Sequence, residues 1–396
     1  MIKAIKKREI TLWGFLVFMF VFLSPLESFL IEQTGSLLKI YTIVCIVLFS
    51  VKILMMGKVK RLIPAQTSLL LFVFITGLSV FWSPHMSRGM DILFSIGLQV
   101  VFIMVVSQIN YTETETHGFL QGYILSTIVL SLLVFANAEM LLAEGGRATA
   151  SVPAGSDIDP NNIAAYIVGG FAVLLNVDTS KKQFGFEKPA KVVLQIVFLI
   201  AIFMTISRGA FVAVFAVIMY NAFSKGKLKR TIFFIVTIII VFAVVYGLSQ
   251  YIFGSNNPML LLINRFLEDE SGSGRLRLWE ISIDAIVNKP ILGYGLGESP
   301  YIIGKKQLNN IGSHNTFITI WFESGIFALI SFITIIVSLW KTKKTSRFDL
   351  SSYGFLLGAL TISFFIDTYN KKILWLPILL CVLATMSNRQ KIADRK

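Results

Sequence analysis

Hydrophobic runs long enough to cross a bilayer follow one another along nearly the whole chain, and that succession leaves few folds open. A spanning helix needs roughly 20 mostly apolar residues. About twelve such runs occur, at 11–31, 37–56, 64–82, 90–108, 118–140, 162–177, 190–206, 208–224, 231–253, 314–340, 350–369 and 373–387. Only helices and closed barrels satisfy every backbone hydrogen bond in lipid, and continuous rather than alternating runs exclude the barrel. The expected fold is all-α: a polytopic membrane helical bundle of about twelve transmembrane helices, forming a single integral membrane domain over residues 1–396. Composition agrees, with 55% hydrophobic and 15% charged residues and a mean hydropathy of +0.75. Lys3, Lys6, Lys7 and Arg8 resemble the start of a signal peptide, but no small-residue cleavage site follows, so the first run is expected to remain as a helix.

The distribution of Lys and Arg between short loops sets orientation. Basic clusters recur in alternate loops: Lys58, Lys60, Arg61; Lys181, Lys182, Lys188, Lys191; Lys225, Lys227, Lys229, Arg230; Lys341, Lys343, Lys344, Arg347; and the terminal Arg389, Lys391, Arg395, Lys396. This pattern predicts a multi-pass membrane protein with both termini cytoplasmic and the segment 254–313 facing outward. The net charge of +14 is accounted for by orientation and contact with anionic membrane lipids. A nucleic-acid partner is not expected, because no soluble basic domain is present to hold one. Cys45 and Cys381 fall inside apolar runs and read as small buried residues. No zinc spacing, phosphate-binding lysine loop or dinucleotide fingerprint occurs, so neither a metal nor a cofactor is expected.

In such a chain the informative residues are polar ones that orientation does not explain. Arg147 lies in the loop after the fifth run, which continues through Asp159-Pro160-Asn161-Asn162 into the sixth; Asp159 or Asn161 is suited to cap that helix. Ser207-Arg208-Gly209 joins two apolar runs, where an arginine is costly without an anionic partner and its planar fork fits phosphate oxygens. The long segment 254–313 contains Arg275, Arg277 and Trp279 at the start of a stretch with partial helical amphipathicity, read as a short helix on the outer leaflet with Trp279 at headgroup level. Gly293, Gly295 and Gly297 follow, giving either close approach to a substrate or simple flexibility. The segment ends at His314-Asn315, where the imidazole can accept a proton that an arginine cannot. Glu323 lies nine residues beyond His314 and out of phase with it, so it is expected to bind another polar group inside the bundle.

Taken in order, these residues resemble the O-antigen ligase and O-antigen polymerase superfamily of membrane glycosyltransferases. The resemblance rests on Arg147 then Asp159-Pro160-Asn161, Ser207-Arg208-Gly209, Arg275 to Trp279, Lys289-Pro290 with Gly293 and Gly295, His314-Asn315, and Glu323-Ser324-Gly325, and covers the chain from Arg147 onward. It implies inverting, metal-independent transfer of a glycan, at the outer face of the bacterial cytoplasmic (inner) membrane, from undecaprenyl diphosphate to a hydroxyl of an acceptor glycan, either a lipid A core or a growing polysaccharide. It further implies catalytic roles for Arg208, His314 and one of Arg275 and Arg277, with Arg147, Asn161, Trp279, Gly293, Gly295, Asn315 and Glu323 as substrate-binding candidates.

A non-enzymatic transporter or flippase of a lipid-linked glycan is the competing expectation, since twelve spans also describe many carriers. The charged residues gather at one face and no half-to-half repeat is evident, which favours the transferase. Nor does a soluble domain follow the last run, which inclines the reading to a polysaccharide rather than a protein acceptor.

Overall fold

The computed structural model describes residues 10–29, 37–138, 158–177, 188–224, 274–307, 312–342 and 347–393, with scattered positions between 226 and 264. Arg147, most of the expected ninth span and most of 254–273 lie outside the described residues. Thirteen α-helices are described: α1 (Leu12–Leu23, continued by a 3-10 turn at Ser24–Leu26), α2 (Leu37–Met56), α3 (Pro64–Ser79), α4 (Met86–Val106), α5 (Glu113–Ala136), α6 (Pro160–Asn176), α7 (Lys188–Met204), α8 (Arg208–Ser224), α9 (Arg275–Asn288), α10 (Ser299–Gln307), α11 (Thr316–Thr342), α12 (Arg347–Ile362) and α13 (Lys372–Ala393). No strand occurs among the described residues.

Among the described residues, six helical stretches are long and apolar enough to cross a membrane by themselves: Leu12–Phe29, Leu37–Met56, Pro64–Trp82, Met86–Val106, Glu113–Ala136 and Thr316–Thr342. Helices α6, α7 and α8, of 17 residues each, extend about 25 Å at 1.5 Å per residue, slightly less than a typical hydrocarbon core.

The helices begin where the sequence supplies caps. The Thr11 hydroxyl accepts from the Gly14 amide, and Thr112 with Glu115 forms a capping box on α5. Glu115 also accepts hydrogen bonds from the Thr11 amide at 2.9 Å and hydroxyl at 2.6 Å, which ties the starts of α1 and α5 together. Asp159, of the two caps the sequence allowed, serves α6: its Oδ1 accepts from the Asn161 amide at 2.8 Å, with Pro160 in the first turn.

Lipid tails are as apolar as leucine, so helices associate by close packing rather than by escape from water. Helix α6 shows this directly. A β-carbon at Gly169 would lie 2.4 Å from the Phe355 ring and 2.5 Å from the Tyr123 hydroxyl, and one at Gly170 would lie 2.3 Å from the Thr127 hydroxyl. These glycines let α6 sit directly on α5 and α12. Helix α13 is buried continuously from Lys372 to Met386, which makes it a central strut of the bundle.

Helix α11 is two helical pieces joined at Gly325, whose φ of 79° and ψ of −180° belong to glycine alone. The break frees the carbonyls of Phe322 and Glu323, which accept from the amides of Tyr294 and Gly295 at 2.9 Å each, while the Ile326 amide donates to the Pro290 carbonyl at 3.0 Å. The loop 290–297 is thus plugged into the kink. Two stretches that stood apart in sequence, Lys289 to Gly295 and Glu323-Ser324-Gly325, prove to be halves of one joint.

Candidate functional site

Five polar turns meet at one end of the bundle: the start of α6, the α7–α8 turn, the start of α9, the start of α11 and the α12–α13 turn. Hydrogen bonds join them. The Ser207 hydroxyl donates to Asn161 Oδ1 at 3.0 Å, and Lys371 Nζ donates to Asn162 Oδ1 at 3.0 Å. The indole of Trp279 donates to the Ser313 carbonyl at 3.1 Å, and Thr316 exchanges backbone and hydroxyl bonds with Ser363, Ile366 and Thr368.

The α7–α8 turn and the start of α11 are also the places where the backbone is strained. Ile206 and His314, both at φ 51°, are the described non-glycine residues with positive φ. Isoleucine is disfavoured there by its branched side chain, and such outliers persist only where surrounding structure enforces them. One immediately precedes Ser207-Arg208, and the other is the candidate base itself.

His314 is half-buried, and no hydrogen bond holds its ring among the described residues. Burial pushes its pKa below the ordinary imidazole value; Asp367 and Asp159 pull it upward, while Arg275 and Lys371 reinforce the depression. At neutral pH the ring is therefore uncharged and able to accept a proton. Burial likewise lowers the pKa of Lys371, against the opposing pull of Asp159 and Asp367. Asp367 Oδ1 accepts from the Thr319 hydroxyl at 2.6 Å, one turn into α11 from His314.

Phe365 organises the two candidate arginines. The Arg275 guanidinium lies 5.9 Å from the ring centroid, within cation–π range, and a β-carbon on Gly209 would fall 2.7 Å from the Phe365 side chain. Gly209 thereby lets the start of α8, with half-buried Arg208, press against the residue that carries Arg275. Arg277 points the other way and is exposed. Of the two loop arginines, Arg275 joins the cluster.

Several expected site residues also have structural partners of their own. The indole of Trp279 is held by protein rather than displayed to headgroups, because α9 buries Leu278, Ser282, Ala285 and Ile286 inward. Asn315 caps α11, its Oδ1 accepting from the amides of Phe317 at 3.0 Å and Ile318 at 3.2 Å. Gly293 and Gly295 were expected to approach a sugar or to supply flexibility; the structure gives both a packing role. A β-carbon on Gly293 would meet the Glu323 carbonyl at 2.6 Å, and one on Gly295 would meet Ser83 Cα at 2.5 Å, so both serve tight backbone packing. Glu323 is fully enclosed, accepting from the Tyr369 hydroxyl at 2.6 Å and the Ser299 amide at 3.2 Å, as its helical phase suggested. Asn161 does join the cluster, through Ser207 and Asp159.

Asp367, Lys371 and Phe365 were not anticipated. A signal for the two charges was present: they lie at the junction of the last two apolar runs, at the same membrane face as Arg208 and His314. Phe365 had none, being one of 34 phenylalanines.

Comparison with known proteins bears on this arrangement. Residues 193–333, which include Arg208, Arg275 and His314, match the family model described as O-antigen ligase. Over that segment the chain is similar to the O-antigen ligase family. Two curated relatives, both named "putative polysaccharide ligase", come from Rickettsia felis, 26% identical over 132 residues, and Rickettsia conorii, 29% identical over 119 residues. The matched segments cover 28% and 26% of this chain and 32% and 28% of those relatives, so the chain spans about a third of their length in each comparison. The O-antigen ligase match takes in most of α7, all of α8, α9 and α10 and the larger part of α11, and with them Arg208, Arg275, His314 and the joint at Gly325.

Proposed function

We propose that the protein transfers a glycan from undecaprenyl diphosphate to a hydroxyl of an acceptor glycan at the outer face of the bacterial cytoplasmic membrane. The observation that carries this reading is the convergence of Arg208, Arg275, His314 and the pair Asp367 and Lys371, from four separate stretches of the chain, on one end of an apolar bundle. In this account about twelve helices cross the bilayer, the run 231–253 among them, both chain termini are cytoplasmic, and the site faces outward, in keeping with the basic clusters of alternate loops in the sequence.

The chemistry follows from the charges. The acceptor hydroxyl gives its proton to His314 as its oxygen bonds to the anomeric carbon. The bond from that carbon to the diphosphate oxygen breaks, and its electron pair leaves on the diphosphate. Attack opposite the leaving group inverts the anomeric centre. Fixed cations that grip the diphosphate more tightly as its charge grows lower the barrier, and Arg208, Arg275 and Lys371 fill that role without a metal. Asp367, by raising the basicity of His314, stabilises the imidazolium that forms.

The test is to offer the purified protein a carrier-linked glycan alone and then with a lipid A core. A ladder of products from the carrier-linked glycan alone identifies a polymerase, and product only with the core identifies a ligase. Absence of transfer in both, with transbilayer movement of the carrier, would establish the flippase instead.

A further inference from the structure

A second constellation lies at the same end of the bundle, outside the His314 cluster, where the turn between α3 and α4 meets the start of α10. Its centre is Glu298, a carboxylate only 2% exposed. Glu298 Oε1 accepts from the Ser83 hydroxyl at 2.7 Å and the His85 amide at 2.8 Å, and both carboxylate oxygens lie 3.0 Å from His85 Nδ1. Burial opposes its ionisation, but these hydrogen bonds from Ser83 and His85 hold its pKa below the usual carboxylate value. An ionised carboxylate only accepts, so Nδ1 carries the proton. The imidazole is stacked on Tyr301, ring centroids 3.6 Å apart and planes 9° from parallel, so both its plane and its tautomer are fixed.

What the arrangement leaves over is informative. The His85 side chain is 44% exposed, and no described residue engages its Nε2. Arg88, one turn along, lies 5.4 Å from the centroid of the Tyr301 ring and makes no hydrogen bond or ion pair with another described residue. Its stem crosses Gly297, where a β-carbon would fall 3.2 Å from Arg88 Cγ. A ring nitrogen open to a ligand and a five-donor fork therefore stand side by side on a rigid base.

That combination suits a polyol better than an anion. A phosphate would use the guanidinium but meet the charge of Glu298 behind the ring, whereas sugar hydroxyls both donate and accept and so suit the ring nitrogen in either protonation state. The location suits the acceptor. Ser299, next to Glu298, is bonded to Glu323, and a β-carbon on Gly312 would lie 3.4 Å from the Ser299 hydroxyl and 3.1 Å from Asp367 Oδ2. The ledge thus adjoins Asp367 in the His314 cluster, whereas the starts of the Arg208 and Arg275 helices are gathered on Phe365. An inverting attack needs the nucleophile on the side opposite the diphosphate.

We propose that His85, set by Glu298 and flanked by Arg88, is a binding subsite for hydroxyls of the acceptor glycan. This deepens the transferase reading and rests on it. His85 and Arg88 bind; Glu298 is a positioning residue.

The test uses the full-length protein in nanodiscs with two readouts. Steady-state transfer is measured with the carrier-linked glycan as donor and lipid A core as acceptor. Direct binding is measured separately by saturation-transfer NMR with delipidated core oligosaccharide on the His314→Asn variant. His85→Ala and Arg88→Ala should each raise the acceptor KM about 5- to 30-fold, the loss of one or two hydrogen bonds, leave the donor KM within about twofold, and weaken oligosaccharide binding by a similar factor. His85→Gln, which keeps a donor and an acceptor, should recover part of the loss. Exposed Arg88 can be removed without disturbing the turn, so its variant keeps the test valid should His85→Ala reduce folding. Unchanged acceptor KM and unchanged binding in Arg88→Ala, at normal abundance, overturn the subsite while the transferase reading stands. If the oligosaccharide binds but no glycan is transferred, the transferase reading is what fails; if it does not bind at all, the subsite is refuted.

Discussion

Replacing Gly325 by alanine should disconnect the site from its scaffold, and the size of the effect can be worked from the joint. A β-carbon there would stand 1.9 Å from the Ile291 carbonyl oxygen and 2.5 Å from its carbon. A carbon–oxygen contact needs about 3.3 Å, so the loop must retreat by more than about 1 Å. The φ of 79° with ψ near 180° adds about 1–3 kcal/mol for any residue with a side chain. If the loop detaches, three backbone hydrogen bonds are lost, those of Tyr294, Gly295 and Ile326, at about 0.5–1.5 kcal/mol each. Either route costs a few kcal/mol, of which the second is local to 290–297. The Gly325→Ala protein should therefore retain its helical content but melt lower in detergent, become cleavable between Lys289 and Gly297, and lose most transfer activity because α9 and Arg275 are no longer held. Wild-type melting, protease resistance and transfer together would refute the plugged-joint account.

Other outcomes follow from the same geometry. The pH profile of transfer should fall on its acid side below the ordinary imidazole value, since His314 must be unprotonated and its pKa is depressed; Asp367→Asn should move that limb to lower pH and Arg275→Gln to higher pH, read as normalised kcat/KM against pH. Arg208→Lys should lose most activity if the arginine grips a diphosphate as a bidentate fork, and retain it if only a point charge is needed. Arg277→Ala, at an exposed position, should leave transfer within about twofold, a surface change of little energetic consequence. Gly170→Ala should lower thermal stability by about 1–3 kcal/mol through overpacking against Thr127, without altering the pH profile.

The bundle was legible because lipid imposes one rule on every span, so long apolar runs mark helices without knowledge of their neighbours. Runs 37–56 and 208–224 coincide with α2 and α8 for that reason. Arg208, Arg275 and His314 stood out because a charge or imidazole at a membrane face needs explaining, and the structure brings them together. The glycines were harder. Gly293 and Gly295 carried a conformational signal, but whether a glycine serves a ligand or a neighbouring backbone depends on what lies opposite, and the partners, Glu323 and Ser83, are remote in sequence. Asp367 and Lys371 looked like the edges of two spans, while their closeness to His314 comes from the docking of Thr316 on the α12–α13 turn. The kink at Gly325 was hidden inside a run that reads as one uninterrupted helix.

The central claim is that His314 takes the proton of the attacking hydroxyl. Asparagine tolerates positive φ nearly as well as glycine does, so His314→Asn keeps the backbone geometry at φ 51° while removing the base, whereas alanine would also add strain. Single-turnover transfer from undecaprenyl-diphosphate-linked glycan, measured with the purified variant at wild-type abundance and saturating acceptor, should fall by about 10²-fold or more. Transfer within twofold of wild type would contradict the account.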